Sequence, residues 1–212
     1  MGNSALDLLG QSSAFYKFAA EIEQQNHTED DFIYFRDEMH YKNIKLVELP
    51  KGDFAFTIAR QFFFSQYSIL FFELMQKSSN TTIAGISSKA LKEVTYHLRH
   101  SKQWMLRLGD GTEESHLRLQ NAVNELWNFT GEMFYTDATE NLLTENKIIP
   151  PLDLIQSLWK EQIEDCFSAA TILLPHNGFQ HSGGRIGKHT EHLGYLLSEL
   201  QILARSYPDA KW

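Results

Sequence analysis

Apolar residues in this chain recur at spacings of three and four almost from end to end. That period admits one kind of element, the amphipathic α-helix, in which positions i, i+3, i+4 and i+7 share a face. Alternation of the strand type is nearly absent. The pattern is cleanest between Asn80 and Leu108, where Ile83, Ile86, Ala90, Val94, His97, Ser101, Trp104 and Leu108 step along one side. Helices are predicted over residues 4–26, 53–77, 80–108, 113–136, 151–172 and 187–206. A further short helix is predicted around Asp30 to Asp37, inside the mixed segment from Thr28 to Leu49. At a rise of about 1.5 Å per residue the longer helices reach roughly 35 to 45 Å, a bundle dimension. The fold class is therefore all-α.

The breaks between these helices carry their own chemistry. Pro50-Lys51-Gly52 interrupts the chain ahead of Asp53, whose side chain suits an N-cap. Gly109-Asp110-Gly111-Thr112 closes one helix and opens the next, and Pro150-Pro151 starts another. Gly183, Gly184 and Gly187 predict a loop before the last helix. At 212 residues and 42% hydrophobic, the chain has material for one buried core, so a single domain over 1–212 is expected.

Charge and composition remove several function classes. The net charge of −8 is spread over short acidic clusters, and Lys and Arg form no patch able to follow a phosphate backbone, which excludes nucleic acid. The apolar runs Phe62 to Phe64 and Ile69 to Phe72 are broken by Ser65, Gln66 and Ser68, far short of the ~20 residues of a membrane span. One cysteine, Cys166, and no secretory leader predict a reducing, cytoplasmic setting. The sequons at Asn26, Asn80 and Asn128 are then coincidental, and Met1-Gly2 lacks the Ser or Thr that myristoylation wants where Leu6 stands.

Long helices with an inward Glu and His suggest a carboxylate-bridged di-iron bundle, which takes a Glu from each of two helices and a Glu-x-x-His from each of two others. Here the ligand set falls short. Three residues after Glu93 stands Tyr96, and the histidine, His97, comes at the fourth position. The helix from Asp53 to Lys77 has no acidic residue between Asp53 and Glu73, and the first helix offers only Asp7. Glu93 and His97, neighbours at i and i+4, are read as a buried polar pair, with Asp7, Glu93 and His97 as degenerate metal-site remnants. At the start of the last helix, His189 and His192 stand at i and i+3, and Arg185, Lys188 and His189 are candidates for an anion site at a helix N-terminus. Capping and packing is the competing reading of that cluster. Nucleophile elbows and phosphate-cradling glycine motifs are absent, and Cys166 falls in the apolar period of Leu158, Ile163 and Ala170 as a core thiol.

One helix concentrates aromatics: Phe54, Phe56, Phe62, Phe63, Phe64, Tyr67, Phe71 and Phe72 cover more than the ~100° of surface that a single core contact needs. Two readings follow. The helix is either central to its own bundle or presents its surplus apolar face to another subunit.

Several stretches resemble a known family. They are Leu6-Asp7-Leu8-Leu9-Gly10-Gln11, Phe35-Arg36-Asp37-Glu38, Gly52-Asp53-Phe54-Ala55, Thr57-Ile58-Ala59-Arg60-Gln61, Lys92-Glu93 through Tyr96-His97-Leu98-Arg99, and His189-Thr190-Glu191-His192-Leu193-Gly194 through Trp212. In this order they resemble the C-subunit family of the bacterial phenylacetyl-CoA epoxidases. The resemblance implies a ferritin-like helical bundle with additional C-terminal helices. It also implies a non-catalytic subunit that pairs with a homologous di-iron catalytic subunit within a complex that includes a reductase. On that reading this chain binds no cofactor and has no catalytic residue. Family members usually place another long helix before the Leu-Asp-Leu-Leu-Gly-Gln segment, so the first bundle helix is expected to be missing and its neighbours' apolar faces exposed. The runner-up function is a metal-dependent oxidoreductase using Asp7, Glu93 and His97 with His189 or His192; a third is a stand-alone ferritin-like binding protein.

Overall fold

A computed structural model describes residues 2–176, 178–208 and 210. Met1 and Trp212, which bound two of the sequence expectations, lie outside the described residues. The described residues form α-helices and short 3-10 turns, with no strand among them, as the apolar period requires. The helices are α1 (Gly2–Glu23), α2 (Glu29–Tyr34), α3 (Phe54–Met75), α4 (Thr81–Gly109), α5 (Glu113–Trp127), α6 (Ala138–Glu145), α7 (Leu152–Ala169) and α8 (Glu191–Ser206). Single 3-10 turns occur at Glu38–His40, Lys45–Val47, Gly131–Phe134 and Gly184–Ile186. The chain gathers into two compact units: residues 51–181, and the two ends of the chain, residues 1–50 with 182–212.

The unit of residues 51–181 is built on α3. This helix is apolar on nearly every side, and it meets α4, α5 and α7, while α4 also meets α5 and α7. Its aromatic surplus is taken up there: Phe62 and Phe63 are sealed, and Phe56, Phe64, Tyr67, Phe71 and Phe72 are half-buried. Phe54, at the first turn, is the exposed exception and stacks edge-on against Trp104. The buried line of α4 runs Ser87, Ala90, Val94, His97, Ser101, Met105 and Gly109. Trp104 and Leu108, predicted to end that stripe, are half-buried beside it. At the far end of α4, a Cβ on Gly109 would stand 2.1 Å from the Ala170 carbonyl oxygen, so only glycine allows this approach.

Aromatic rings fill the centre. Phe63 lies 5.8 Å from Trp159 and 6.0 Å from Trp127, and Phe134 lies 5.4 Å from Trp159 (ring centroids). Trp159 Nε1 donates to the Phe63 carbonyl at 3.0 Å, so the largest sealed side chain also satisfies its polar atom. Cys166 is buried in the same core, and burial pushes its thiol up to about 11.

Several element boundaries differ from the sequence expectation. α5 ends at Trp127 rather than running to 136. Its last carbonyls are claimed from outside: Trp127 O accepts from Thr130 Oγ1 (2.9 Å) and Gln180 Nε2 (3.0 Å), and Asn128 O accepts from His181 N (2.7 Å). α6 lies outside every predicted helix; Asp137 caps it by accepting from Thr139 N (2.7 Å) and Glu140 N (3.2 Å), and Glu140 accepts in return from Asp137 N. α8 begins at Glu191, not at 187, because Gly187 is left-handed (φ 82°) and its Cα side faces the Met39 carbonyl oxygen, 2.2 Å from where a Cβ would stand. α1 spans Gly2–Glu23 instead of 4–26, ended by the left-handed Gln24 and Asn26.

In the unit made from the chain ends, α2 meets α1 and α8, and the 3-10 turn at Glu38–His40 meets α8. Its buried apolar side chains are few: Ile44, Leu46, Leu193 and Leu197. Polar bonds do much of the joining. Buried Gln201 donates through Nε2 to the carbonyls of Ile33 and Arg36, both at 2.9 Å. Arg205 donates to Tyr34 O (3.1 Å), Arg36 O (3.0 Å) and Asp37 Oδ1 (3.0 Å). The Arg36 guanidinium lies over the rings of Tyr16, Phe32 and Tyr41, 5.2–5.8 Å from their centroids.

Candidate functional site

The most concentrated polar chemistry of the molecule stands at the start of α8, and its centre is a residue that no sequence motif singles out. Glu48 follows the 3-10 turn at Lys45–Val47 and points its carboxylate at His189 and Thr190. Oε1 lies 2.7 Å from His189 Nδ1 and accepts from Asn43 Nδ2 at 2.8 Å. Oε2 accepts from Thr190 N (2.7 Å) and Thr190 Oγ1 (2.8 Å). The side chains of Glu48 and His189 are each 1% exposed. The other ring nitrogen of His189, Nε2, donates to the Tyr41 carbonyl oxygen at 2.9 Å. Both nitrogens thus face oxygen atoms of the 41–48 segment, the Glu48 carboxylate on one side and the Tyr41 carbonyl on the other. Tyr41 itself donates through its hydroxyl to Ile33 O, and burial raises its phenol above the ordinary tyrosine range.

This geometry redistributes the candidates at the last helix. The anion drawn to the N-terminus of α8 is the protein's own Glu48 carboxylate, bonded to the Thr190 amide at the cap position. Both ring nitrogens of His189 are committed within its unit, so neither lone pair is offered to a metal shared with His192. Arg185 lies on the preceding 3-10 turn, and Lys188 is exposed three residues before the helix starts. The arrangement does the work of a latch, tying residues 41–48 to residues 189–190.

The three remnant metal candidates divide between the units. Asp7 is half-buried on α1, whereas Glu93 and His97 lie on α4 in the unit of residues 51–181, His97 buried and Glu93 half-buried. The helices packed with α4 bring no inward carboxylate to them. α3 has none between Asp53 and Glu73, Glu125 of α5 is exposed, and so are Glu161, Glu164 and Asp165 of α7. Buried Glu132 belongs to the 3-10 turn after α5. A di-iron centre needs about four carboxylates converging from bundle helices, and among the described residues α3, α5 and α7 bring no buried carboxylate toward Glu93 and His97. Among the described residues no group of three or more His, Cys, Asp or Glu is placed to hold a metal ion, and no helix is long and apolar enough to cross a membrane.

A profile of the family described as phenylacetic acid catabolic protein matches residues 1–212. The chain belongs to that family. Among members of the phenylacetic acid catabolic protein family, it is similar to the C subunit of the 1,2-phenylacetyl-CoA epoxidase of Escherichia coli (strain K12), with 40% identity over 212 residues. The match covers 100% of this chain and 85% of that relative. The C-subunit resemblance read from the sequence motifs is therefore met along the whole length.

Proposed function

We propose that this chain is the C subunit of a 1,2-phenylacetyl-CoA epoxidase, a non-catalytic, ferritin-like subunit that pairs with and stabilises a di-iron catalytic subunit. The observation that carries the assignment is the 40% identity across all 212 residues to the C-subunit relative. The non-catalytic part draws on the donor set: α3, α5 and α7 bring no inward carboxylate to Glu93 and His97. The ferritin-like part draws on the mutual packing of α3, α4, α5 and α7. A pairing role also agrees with the apolar side chains left outside in the chain-end unit, Leu6 at 68% and Tyr195 at 70% exposure among them.

Co-expression with the di-iron subunit from the same source tests the reading. The expected result is a stable complex whose epoxidase activity on phenylacetyl-CoA, supplied with the reductase, depends on this chain. Failure to co-purify, or full activity without this chain, sinks it. Metal analysis of the purified chain adds a separate check: stoichiometric iron with oxidase activity of its own would replace this reading by that of a metal-dependent oxidoreductase.

A further inference from the structure

α8 carries two apolar stripes. The inner one, Leu193 and Leu197 continued by Gln201, is buried and holds α8 to its unit. The other steps Leu196, Leu200 and Leu203, at spacings of four and three, with Tyr207 just past the end of the helix, and all of them are exposed, from 41% at Leu200 to 61% at Tyr207. That spacing is the seam which one helix offers to the side chains of another. A helix with one partnered and one unpartnered apolar face is half of an interface.

Leu200, Leu203 and Tyr207 line one wall of a groove of about 660 Å³, and Tyr34 and Phe35 at the end of α2 form part of the other. Its charge is one-sided. Asp30 and Asp31 of α2 and Glu199 of α8 line it, and among the described residues no Lys, Arg or His does. Asp31 is turned to Thr28, whose amide and hydroxyl donate to it, and this leaves Asp30 and Glu199 as the carboxylates turned outward. The nearest cation along α8, Arg205, is committed to Tyr34 O, Arg36 O and Asp37.

We infer that the α2–α8 groove docks an amphipathic helical segment of a partner protein, its apolar side chains seated against Leu200, Leu203 and Tyr207 and its flanking Lys or Arg side chains paired with Asp30 and Glu199. The heptad-like spacing selects a helix as the occupant, and the acidic rim selects a basic one. A second copy of this acidic chain, net charge −8, would bring like charge to the same rim. The epoxidase assignment rests on identity along the whole chain and not on what this groove binds, so the two can fail separately.

The test uses the full chain and three labelled synthetic peptides, read by fluorescence anisotropy. One is an amphipathic Leu-Lys helix, one a Leu-Glu helix of equal length, and one a scrambled Leu-Lys sequence with no apolar face. The wild type is expected to bind the Leu-Lys helix and neither control, with affinity falling as salt is raised. L203D is expected to weaken binding by about tenfold or more, given the apolar contact removed from the seam. The double variant D30K/E199K is expected to exchange Leu-Lys for Leu-Glu binding. These positions are exposed, and circular dichroism verifies that each variant keeps its helix content. Equal binding of the scrambled peptide, or indifference to both variants, overturns the inference. So does concentration-dependent dimerisation of the wild type that L203D abolishes, since that would make the occupant a second copy.

Discussion

In residues 51–181, Phe62, Phe63, Trp159 and Phe167 are sealed from solvent, the other three rings tilted against Phe63, so apolar burial from four helices holds the unit together. In the unit made from the chain ends, the four buried apolar side chains among the described residues are joined by Glu48, His189, Gln201 and Arg205, each bonded to specific atoms of another segment. The first kind of cohesion is non-directional and tolerates small shifts. The second depends on distances near 2.7–3.1 Å and fails when one partner is removed. The contrast also shows in what is left outside, since α8 and α1 expose Tyr195, Ile202, Leu6 and Leu9. A unit that seals so little of its own apolar surface has the composition of something finished by another surface.

Five measurements probe this contrast. Trp159→Ala empties the most crowded part of the aromatic core and leaves the Phe63 carbonyl without that donor; chemical denaturation is expected to show a loss of about 3–5 kcal/mol. Glu48→Leu strands His189, Asn43 and the Thr190 amide, at a cost of about 3 kcal/mol. Here hydrogen exchange should quicken in residues 38–49 and 188–206 while α3 and α4 keep their protection. Uniform loss across the chain would show that the two units share one cohesion.

The third test concerns pH. The Cys166 thiol is neutral when protonated, and burial keeps it so up to about 11, against 9.0 for an exposed thiol. Between those values the folded chain holds a proton that the unfolded chain has released. This contribution is therefore flat below about pH 9, destabilises the fold by about 1.4 kcal/mol per pH unit between about 9 and 11, and is flat again above that. Comparing alkaline denaturation of wild type and Cys166→Ala isolates it, and identical slopes would refute it. Next, Asn80→Ala removes the side chain that accepts from Thr82 N and Ile83 N at the start of α4, worth about 1 kcal/mol in thermal unfolding. Smallest of all, Leu203→Asp should change the stability of the isolated chain by only about 0.5 kcal/mol, because its side chain is half exposed there. A loss several times larger would mean that the outer stripe of α8 is part of the chain's own core.

Helix content and most helix limits are legible because the 3.6-residue period is written locally, and α4 and α7 lie within a residue or a few of their predicted spans. The capped starts at Asp53, Asn80 and Thr112 are equally readable, since cap and amide are three residues apart or fewer. α6 falls outside the apolar period, although Asp137-x-x-Glu140 is a capping box and a local signal for a helix start. The end of α5 is not readable in the same way, because Gln180 and His181, which claim its carbonyls, lie more than fifty residues further on. Glu48 has no local signal at all. One acidic residue before a proline-glycine break looks like any surface carboxylate until His189 and Thr190 are folded against it. His189 stands in the neighbourhood the sequence points to, a helix start that attracts negative charge, and the structure supplies that charge from within the chain.

The latch between Glu48 and His189 joins positions 141 residues apart. During synthesis residues 41–48 are made well before residues 189–190 and must wait for the last helix. At roughly 5–20 residues per second the interval is on the order of ten seconds. The stretch 51–181 is contiguous in sequence and is complete before the last helix is made, while α1 and α2 still lack α8. That waiting period is when proteases, chaperones or a subunit made nearby have their best access to residues 1–50.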